Sequence, residues 1–207
     1  MQAKGNGKLI VFEGLDGSGT TTQVSLLAEC LKERGFSVIK VEEPGGTPLG
    51  RKVRDLLLDD KGLRIDPLSE LLLYEVSRAQ LIREKIIPEL NRGSIVISDR
   101  FAISSVAYQG YGRGISIERV KKLNEIAVAG VEPDITFFLD IDLEERKKRT
   151  LERKPDRIEK EELEFYRRVK QGYLEEMKSA PEAVVIDGSS SKEEIASEVI
   201  SKIDELI

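Results

Sequence analysis

Five short apolar runs alternate along the chain with longer segments whose apolar residues recur at helical spacing. Several of the runs are nearly continuous in apolar residues, which is typical of parallel strands covered on both faces. The segments between them are too long for hairpins, so the alternation predicts an open parallel α/β sheet of five strands flanked by helices. The predicted strands are residues 8–13, 37–42, 94–99, 134–140 and 182–188.

The connecting segments carry signals for helix ends. Residues 22–35 place their apolar side chains on one side of a helix and stop at a glycine. A long helix is predicted over residues 66–93, because a proline stands near its start and a glycine at its end. Helical spacing is also present in residues 116–130 and 191–207.

Composition narrows the class of protein. The chain has 207 residues, of which 40% are apolar, and this suits a single domain over residues 1–207. With 33 Lys and Arg against 38 Asp and Glu, it lacks the basic excess that sequence-independent nucleic-acid binding requires. The absence of histidine and the single cysteine exclude histidine catalysis and Cys-rich zinc sites. No apolar run reaches the roughly 18 residues of a membrane span, and the start, MQAKGNGK, has no apolar core, so we expect a cytoplasmic protein.

A glycine-rich stretch, GLDGSGTTTQ at residues 14–23, lies between the first predicted strand and a predicted helix. It nearly matches the phosphate-binding pattern G-x-x-x-x-G-K-[ST], whose backbone N–H groups converge on an anion. Thr21 holds the hydroxyl position, which can ligate Mg²⁺, but Thr20 stands where the pattern has lysine. The stretch predicts a nucleotide site that includes Gly14, Gly17, Ser18, Gly19, Thr20 and Thr21.

Charged residues follow the other predicted strands, at the edge where ligands bind in such sheets. Asp99 ends an apolar strand, as a Walker-B-like carboxylate does, and is expected to hold Mg²⁺ directly or through water. Arg100 beside it offers a two-pronged donor for phosphate oxygens. A structural salt bridge is the plainer alternative for this pair.

A basic segment follows the fourth predicted strand, and Pro155 interrupts its helical pattern. A cationic, broken helix near a phosphate site predicts a mobile lid over about residues 149–160, and a solvated charged helix is the alternative. We expect Arg149 to contact the bound nucleotide. The basic cluster includes Arg149, Arg153, Lys154 and Arg157.

Six stretches occur in the order and spacing of the thymidylate kinase family, from about residue 8 to the C-terminus. They are FEGLDGSG, EPGGT, LLLYEVSRAQ, DRFAISSVAYQGYGRG, EPDITFFLD and DRIEKEELEFYRRV. The combination is specific, because EPGGT together with the AYQG-containing stretch distinguishes this group from other nucleoside monophosphate kinases. The resemblance implies transfer of the γ-phosphoryl group of ATP to dTMP with Mg²⁺, the five-stranded sheet, and a homodimer.

The resemblance also implies roles for individual side chains. Asp16 matches a carboxylate near the dTMP phosphate, and Arg100 matches an arginine that contacts the acceptor and transferred phosphates. Tyr74 and Arg78 lie four residues apart on one predicted helix face. They match the aromatic that stacks on thymine and the arginine that binds its edge. The other matching residues on the dTMP side are Arg54, Ser105, Tyr108 and Gln109.

Two positions depart from the family pattern. Thr20 replaces the lysine that offsets charge during transfer, and Glu42 stands before EPGGT, where arginine is common. Gly17 matches the family subgroup that brings its cation from the lid. We therefore expect Arg153 and Arg157 to supply the missing catalytic charge, since arginine suits two-pronged phosphate contact.

Two other functions stay open. The chain could phosphorylate another acceptor, such as dUMP or a deoxynucleoside, although Tyr74 and Arg78 argue against a deoxynucleoside. It could also be a nucleotide-binding regulatory protein that lost catalysis with the lysine. The retention of Asp16, Asp99, Arg100 and the basic lid segment argues against that second alternative.

Overall fold

Five parallel strands form one sheet in the computed structural model, which describes residues 6–58, 62–151, 154–180 and 182–207. The strand order is β2-β3-β1-β4-β5, and each neighbouring pair is parallel. The strands are β1 Lys8–Gly14, β2 Val38–Glu42, β3 Ile95–Asp99, β4 Ile135–Asp140 and β5 Ala183–Asp187. The predicted sheet is therefore confirmed.

Helices cover both faces of this sheet, which is why the strands are apolar almost throughout. On one face, Phe12 of β1 and Phe137 of β4 stack with ring centroids 5.1 Å apart and belong to the same core cluster as apolar residues of α1 and α9. The helices are α1 Thr20–Glu33, α2 Pro48–Leu58, α3 Pro67–Leu81, α4 Ile87–Asn91, α5 Ala102–Ser105, α6 Ile117–Val128, α7 Leu143–Thr150, α8 Leu163–Met177 and α9 Lys192–Leu206.

The long helix predicted over residues 66–93 has a more complex form. It begins as α3, where the Asp66 side chain accepts a hydrogen bond from the Leu68 amide at 2.9 Å. It continues as a π-helix over Ile82–Ile86 and then as α4. Pro88 has no N–H to donate to the preceding turn, so regular α-helical bonding is interrupted there.

A second π-helix, Val106–Gly112, directly follows α5. Single π turns inside helices recur at functional sites because they reorient side chains. This one carries Tyr108 and Gln109 toward the carboxyl edge of the sheet, where the loops after β1, β2 and β3 also meet.

Residues 154–162, between α7 and α8, form turns and extended backbone rather than helix. This is consistent with an interruption at Pro155. The lid predicted over residues 149–160 stays a prediction, and Arg153 lies outside the described residues. Within the described part of the chain, none of the helices combines the length and the apolar character needed to cross a membrane.

Candidate active site

The glycine-rich loop joins β1 directly to α1. Gly17 and Gly19 have φ angles of 85° and 98°, in the left-handed region that favours glycine. A Cβ at Gly14 would lie 3.1 Å from the carbonyl oxygen of Leu139 on β4, so a larger residue would crowd this neighbouring strand. Because α1 starts at Thr20, the loop presents the positive end of a 14-residue helix to any bound anion.

A cavity of about 560 Å³ opens above this loop, and we call it the P-loop cavity. Thr20, at the lysine position, has 6% of its surface exposed and lines the cavity without adding positive charge. The lining comprises residues 15–23 together with Glu42, Glu43, Arg54, Asp99, Arg100, Arg149, Asp156, Glu159, Ser190, Lys192 and Ile195.

Thr21 and Asp99 meet at the base of the P-loop cavity. The Thr21 hydroxyl, from the first turn of α1, donates to Asp99 Oδ2 at the end of β3 over 2.5 Å. A hydroxyl and a carboxylate are oxygen ligands of the kind that Mg²⁺ prefers. Among the described residues there is no group of three or more His, Cys, Asp or Glu suited to a metal. The pair therefore offers two oxygen ligands of a kind that a Mg²⁺ site uses.

The Arg100 guanidinium is fixed by several groups around it. Its Nη1 donates to the Gly14 carbonyl at 2.6 Å and to the Tyr173 hydroxyl at 3.0 Å. Its Nη2 donates to Asp16 Oδ1 at 2.8 Å. The backbone of Arg100 has a φ of 73°, a strained conformation that costs about 1–3 kcal/mol and is kept only where the surroundings hold it.

Glu13 supplies much of that support. Its carboxylate is fully buried and accepts from the backbone amides of Phe101 and Ser104 at 3.0 and 3.2 Å, and also from the Ser104 and Tyr173 hydroxyls. Burial raises the pKa of Glu13 to about 7, and hydrogen bonding by Ser104 and the charge of Arg100 limit the rise. Glu13 therefore stabilises the turn that carries Arg100.

A second cavity, which we call the α3 cavity, lies beside the first. Asp16, Glu43, Arg54, Arg100 and Asp156 line both cavities. The remaining lining residues of the α3 cavity are Pro44, Leu58, Tyr74, Arg78, Ser104, Ser105, Tyr108, Gln109 and Ile158.

Arg78 is held rigidly at the wall of the α3 cavity. It is 1% exposed, and its Nε donates to Glu43 at 2.7 Å. Its Nη1 donates to Glu75 at 2.6 Å and to the Ser105 hydroxyl at 3.0 Å. Tyr74 lies one turn earlier on the same helix face, and burial raises the pKa of its phenol above the usual range, so it stays neutral.

The two π-helical side chains complete this wall. The Tyr108 hydroxyl donates to Asp16 Oδ2 at 3.3 Å, which links the two cavities. The Gln109 amide nitrogen donates to Glu70 at 2.9 Å, and this hydrogen bond fixes the orientation of the amide. The α3 cavity thus combines an aromatic ring, a buried guanidinium and an oriented amide.

The chain closely resembles known proteins. The family model for thymidylate kinase matches residues 12–199. Thymidylate kinase from Caldanaerobacter subterraneus subsp. tengcongensis is 49% identical over 202 residues, 97% of each chain. That from Kosmotoga olearia is 47% identical over 195 residues, 93% of each chain. A crystal structure of thymidylate kinase from Ehrlichia chaffeensis gives a TM-score of 0.79 at 39% identity, covering 96% of this chain and 98% of that one.

The chain belongs to the thymidylate kinase family. It is therefore a phosphotransferase, and the resemblance and the fold inferred from the sequence are confirmed. In this family member, most of the residues predicted for the site lie at one of the two cavities. The roles assigned to those residues stay predictions.

The predicted lid cations of this thymidylate kinase family member lie in different surroundings. Arg149 lines the P-loop cavity, where its Nη1 donates to the Gly188 carbonyl at 3.0 Å and its Nε to Glu145 at 2.8 Å. The Arg157 guanidinium contacts Glu70 instead, with Nη2 2.6 Å from Oε2. Its role at the transferred phosphate therefore stays a prediction without a contact to support it here.

Glu42, which replaces the common family arginine, has an ionic partner. It lies beside Asp99 in the β2–β3 register, and its carboxylate is 3.8 Å from Arg54 Nη1. Arg54 also donates to the Pro44 carbonyl at 2.7 Å. The substitution thus adds a negative charge to the P-loop cavity beside Arg54.

Sequence reasoning missed several carboxylates of the site. Glu43 is 5% exposed, and burial raises its pKa to about 7 against the opposing charge of Arg78. Its Oε1 is buried without a hydrogen-bond partner among the described residues. Glu13 gave a signal in the sequence, because a carboxylate within an apolar strand, VFEG, must find buried donors. Asp156 and Glu159 could not be recognised as site residues, because they belong to a run of alternating charges.

Glu13 should make stability depend on pH in a defined direction. Between its ordinary pKa of 4.5 and its folded value of about 7, the folded state keeps a proton that the unfolded state releases. The protonated carboxyl makes its full contribution to the free energy of unfolding below the ordinary pKa of 4.5. This contribution is lost as pH rises through the folded pKa of about 7. We therefore expect the free energy of unfolding of the wild type, relative to Glu13→Gln, to fall from about pH 5 to about pH 8.

Urea unfolding at several pH values measures this difference. Glu118→Gln on α6 is the matched control, because that carboxylate is exposed and pairs with Lys122 one turn later on the surface. Its difference from the wild type should stay level across the same range. A level difference for Glu13→Gln as well would contradict the buried, proton-retaining carboxyl.

Proposed function

We propose that the chain transfers the γ-phosphoryl group of ATP to dTMP, giving dTDP and ADP. The observation that carries this proposal is the Arg100–Asp16 pair, which lines both cavities with Nη2 2.8 Å from Oδ1. In-line transfer requires the donor and acceptor phosphates to meet at one place where their charge is neutralised. Membership of the thymidylate kinase family supports the choice of dTMP.

The α3 cavity is the proposed dTMP site. Tyr74 offers a face for stacking on thymine, and Arg78 offers a guanidinium for the edge of the base. Because Glu43, Glu75 and other groups already hold Arg78, binding loses little side-chain entropy. We assign Arg54 and Arg100 to the acceptor phosphate. Around the base and sugar we assign Ser105, Tyr108 and Gln109.

The P-loop cavity is the proposed ATP site. The backbone N–H groups from Gly14 to Thr21 and the start of α1 would hold the phosphates. Thr21 and Asp99 would hold Mg²⁺, which neutralises charge on the β- and γ-phosphates when it is bound. Arg149, at the start of the predicted lid, also lines this cavity and is our proposed cation for contact with ATP. The acceptor phosphate is itself the nucleophile, so the lack of histidine removes no step.

We also propose that the chain is one domain with a lid at residues 149–160 and that it works as a cytoplasmic homodimer. Leu68, Leu72 and Val76 of α3 are 51%, 44% and 45% exposed and recur four residues apart. They form an apolar face opposite Tyr74 and Arg78. Such a face on a helix indicates a protein–protein contact, and a second copy of the chain is its proposed partner.

An ADP-release assay coupled to a colour change tests the reaction. With ATP and Mg²⁺, dTMP should give the highest kcat/KM among dTMP, dUMP, AMP and thymidine. A preference for dUMP would change the acceptor without changing the chemistry. Binding of ATP and dTMP without formation of dTDP would favour the regulatory function that the absence of the loop lysine leaves open.

Tyr74→Ala should raise the KM for dTMP about tenfold or more, because stacking on an aromatic is worth roughly 1–3 kcal/mol. The KM for ATP should change little, since Tyr74 lines only the α3 cavity of the two. Tyr74→Phe is the matched control, because it keeps the ring and should keep the KM. An unchanged dTMP KM in the alanine variant, with an unchanged melting curve, would remove Tyr74 from the site.

Arg153→Ala should lower kcat about a hundredfold or more with little change in nucleotide affinity, because Thr20 leaves the transferring group short of a positive charge. Lys154→Ala is the matched control and should lower kcat less than Arg153→Ala does. An ammonium suits two-pronged phosphate contact less well than a guanidinium. Thr20→Lys should change kcat far less than Arg153→Ala does. Steady-state kinetics measures all three variants. A wild-type kcat in Arg153→Ala would refute the hypothesis that Arg153 supplies the missing positive charge.

A further inference from the structure

One buried carboxylate connects three parts of the molecule. Glu70, in the first turn of α3, is 1% exposed and lies on the same helix face as Tyr74. It accepts from Gln109 Nε2 at 2.9 Å, from Arg113 Nε at 3.1 Å and from Arg157 Nη2 at 2.6 Å. Gln109 lies in the wall of the α3 cavity, Arg113 directly after the second π-helix and Arg157 in the segment after α7. All three therefore donate to the Glu70 carboxylate.

The charges in this cluster balance. Burial raises the pKa of Glu70, but hydrogen bonds and charge from Arg113, with the charge of Arg157, hold it below its ordinary value, so the carboxylate stays ionised. Arg113 has a second carboxylate, Glu161, at its Nη1. Two guanidiniums thus face two carboxylates. Removing one partner of such a buried cluster leaves an uncompensated charge, which is strongly unfavourable.

Arg157 fastens the segment after α7 to the helices around the α3 cavity. Its Nε donates to the Leu57 carbonyl at 2.7 Å, and its backbone amide donates to the Leu58 carbonyl at 3.3 Å, both at the end of α2. The residues on either side, Asp156 and Ile158, line the α3 cavity. The position of this cavity wall is therefore set by where the Arg157 side chain is held.

We propose that Glu70 is a positioning residue. Through Arg157 it holds residues 156–158 against the α3 cavity, and through Gln109 it orients the part of the cavity wall that faces the base. It thereby sets the affinity for a nucleoside monophosphate acceptor rather than the rate of transfer. The inference rests on the proposed function, because it concerns the acceptor site. It gives Arg157 a role different from the phosphate contact expected from the sequence.

Kinetics of Arg157→Gln separates the two roles. We expect the KM for the acceptor to rise about tenfold or more, while kcat and the KM for ATP stay within about threefold. Arg157→Lys keeps the charge beside Glu70 and should restore part of the acceptor affinity. Arg167→Gln on α8 is the matched control, because this exposed arginine pairs with Glu164 on the surface, and its kinetics should equal the wild type.

A double-mutant cycle tests whether Glu70 and Arg157 act together. If they do, Glu70→Gln with Arg157→Gln should raise the acceptor KM no further than the worse single variant. If Glu70→Gln fails to fold, the Arg157 series decides alone. An acceptor KM within twofold of the wild type in Arg157→Gln would overturn the proposal, as would a hundredfold loss of kcat with unchanged KM values or full additivity in the cycle.

The wild type provides the separate test of the proposed function. Turnover of dTMP by the wild type supports that function whatever the variants do. If the wild type prefers another nucleoside monophosphate, the same variants are compared with that acceptor, because the wall at residues 156–158 faces the same cavity. If it turns over none, calorimetric binding of dTMP to the same variants gives the affinity ratio directly.

Discussion

The site depends on one strained and anchored arginine. Arg100 follows directly after β3 with a φ of 73°, and its guanidinium points between the two cavities. A left-handed non-glycine residue persists only when its surroundings over-determine it. Here Glu13 binds the amides after the turn, and Gly14 and Asp16 bind the guanidinium. The strain is therefore balanced by contacts that also hold the guanidinium between the two cavities.

Charge balance is the second constraint on this arrangement. Six carboxylates and four cations line the P-loop cavity among the described residues. Thr20 and Glu42 together make this cavity more negative than the family pattern would. The several negative charges of ATP, which we place in this cavity, require added positive charge there. Mg²⁺ at Thr21 and Asp99, and cations from the predicted lid, are the sources that we propose.

The sequence allowed the strands to be predicted within one residue of their observed starts, because buried parallel strands are continuous apolar runs. The π-helical segments could not be foreseen, since wider turns confined to five or seven residues change the apolar spacing of the surrounding helix too little to be read from the sequence. The contact of Arg157 could not be foreseen either. Its partner Glu70 lies 87 residues earlier, and a cluster of basic residues does not indicate which distant carboxylate each one will meet.

Helix α3 contributes both to the α3 cavity and to the proposed dimer contact, because its two opposite faces carry different residues. One face carries Glu70, Tyr74 and Arg78, which contact the segment after α7 or line the α3 cavity. The other face carries the exposed apolar stripe proposed for the dimer. Glu70 and Arg78 on this face are held by hydrogen bonds, so rotation or translation of α3 would disturb the α3 cavity and the segment after α7 together. Covering the apolar stripe with a second copy would restrain the helix, and in this way the proposed dimer would stabilise the acceptor site without contributing a residue to it.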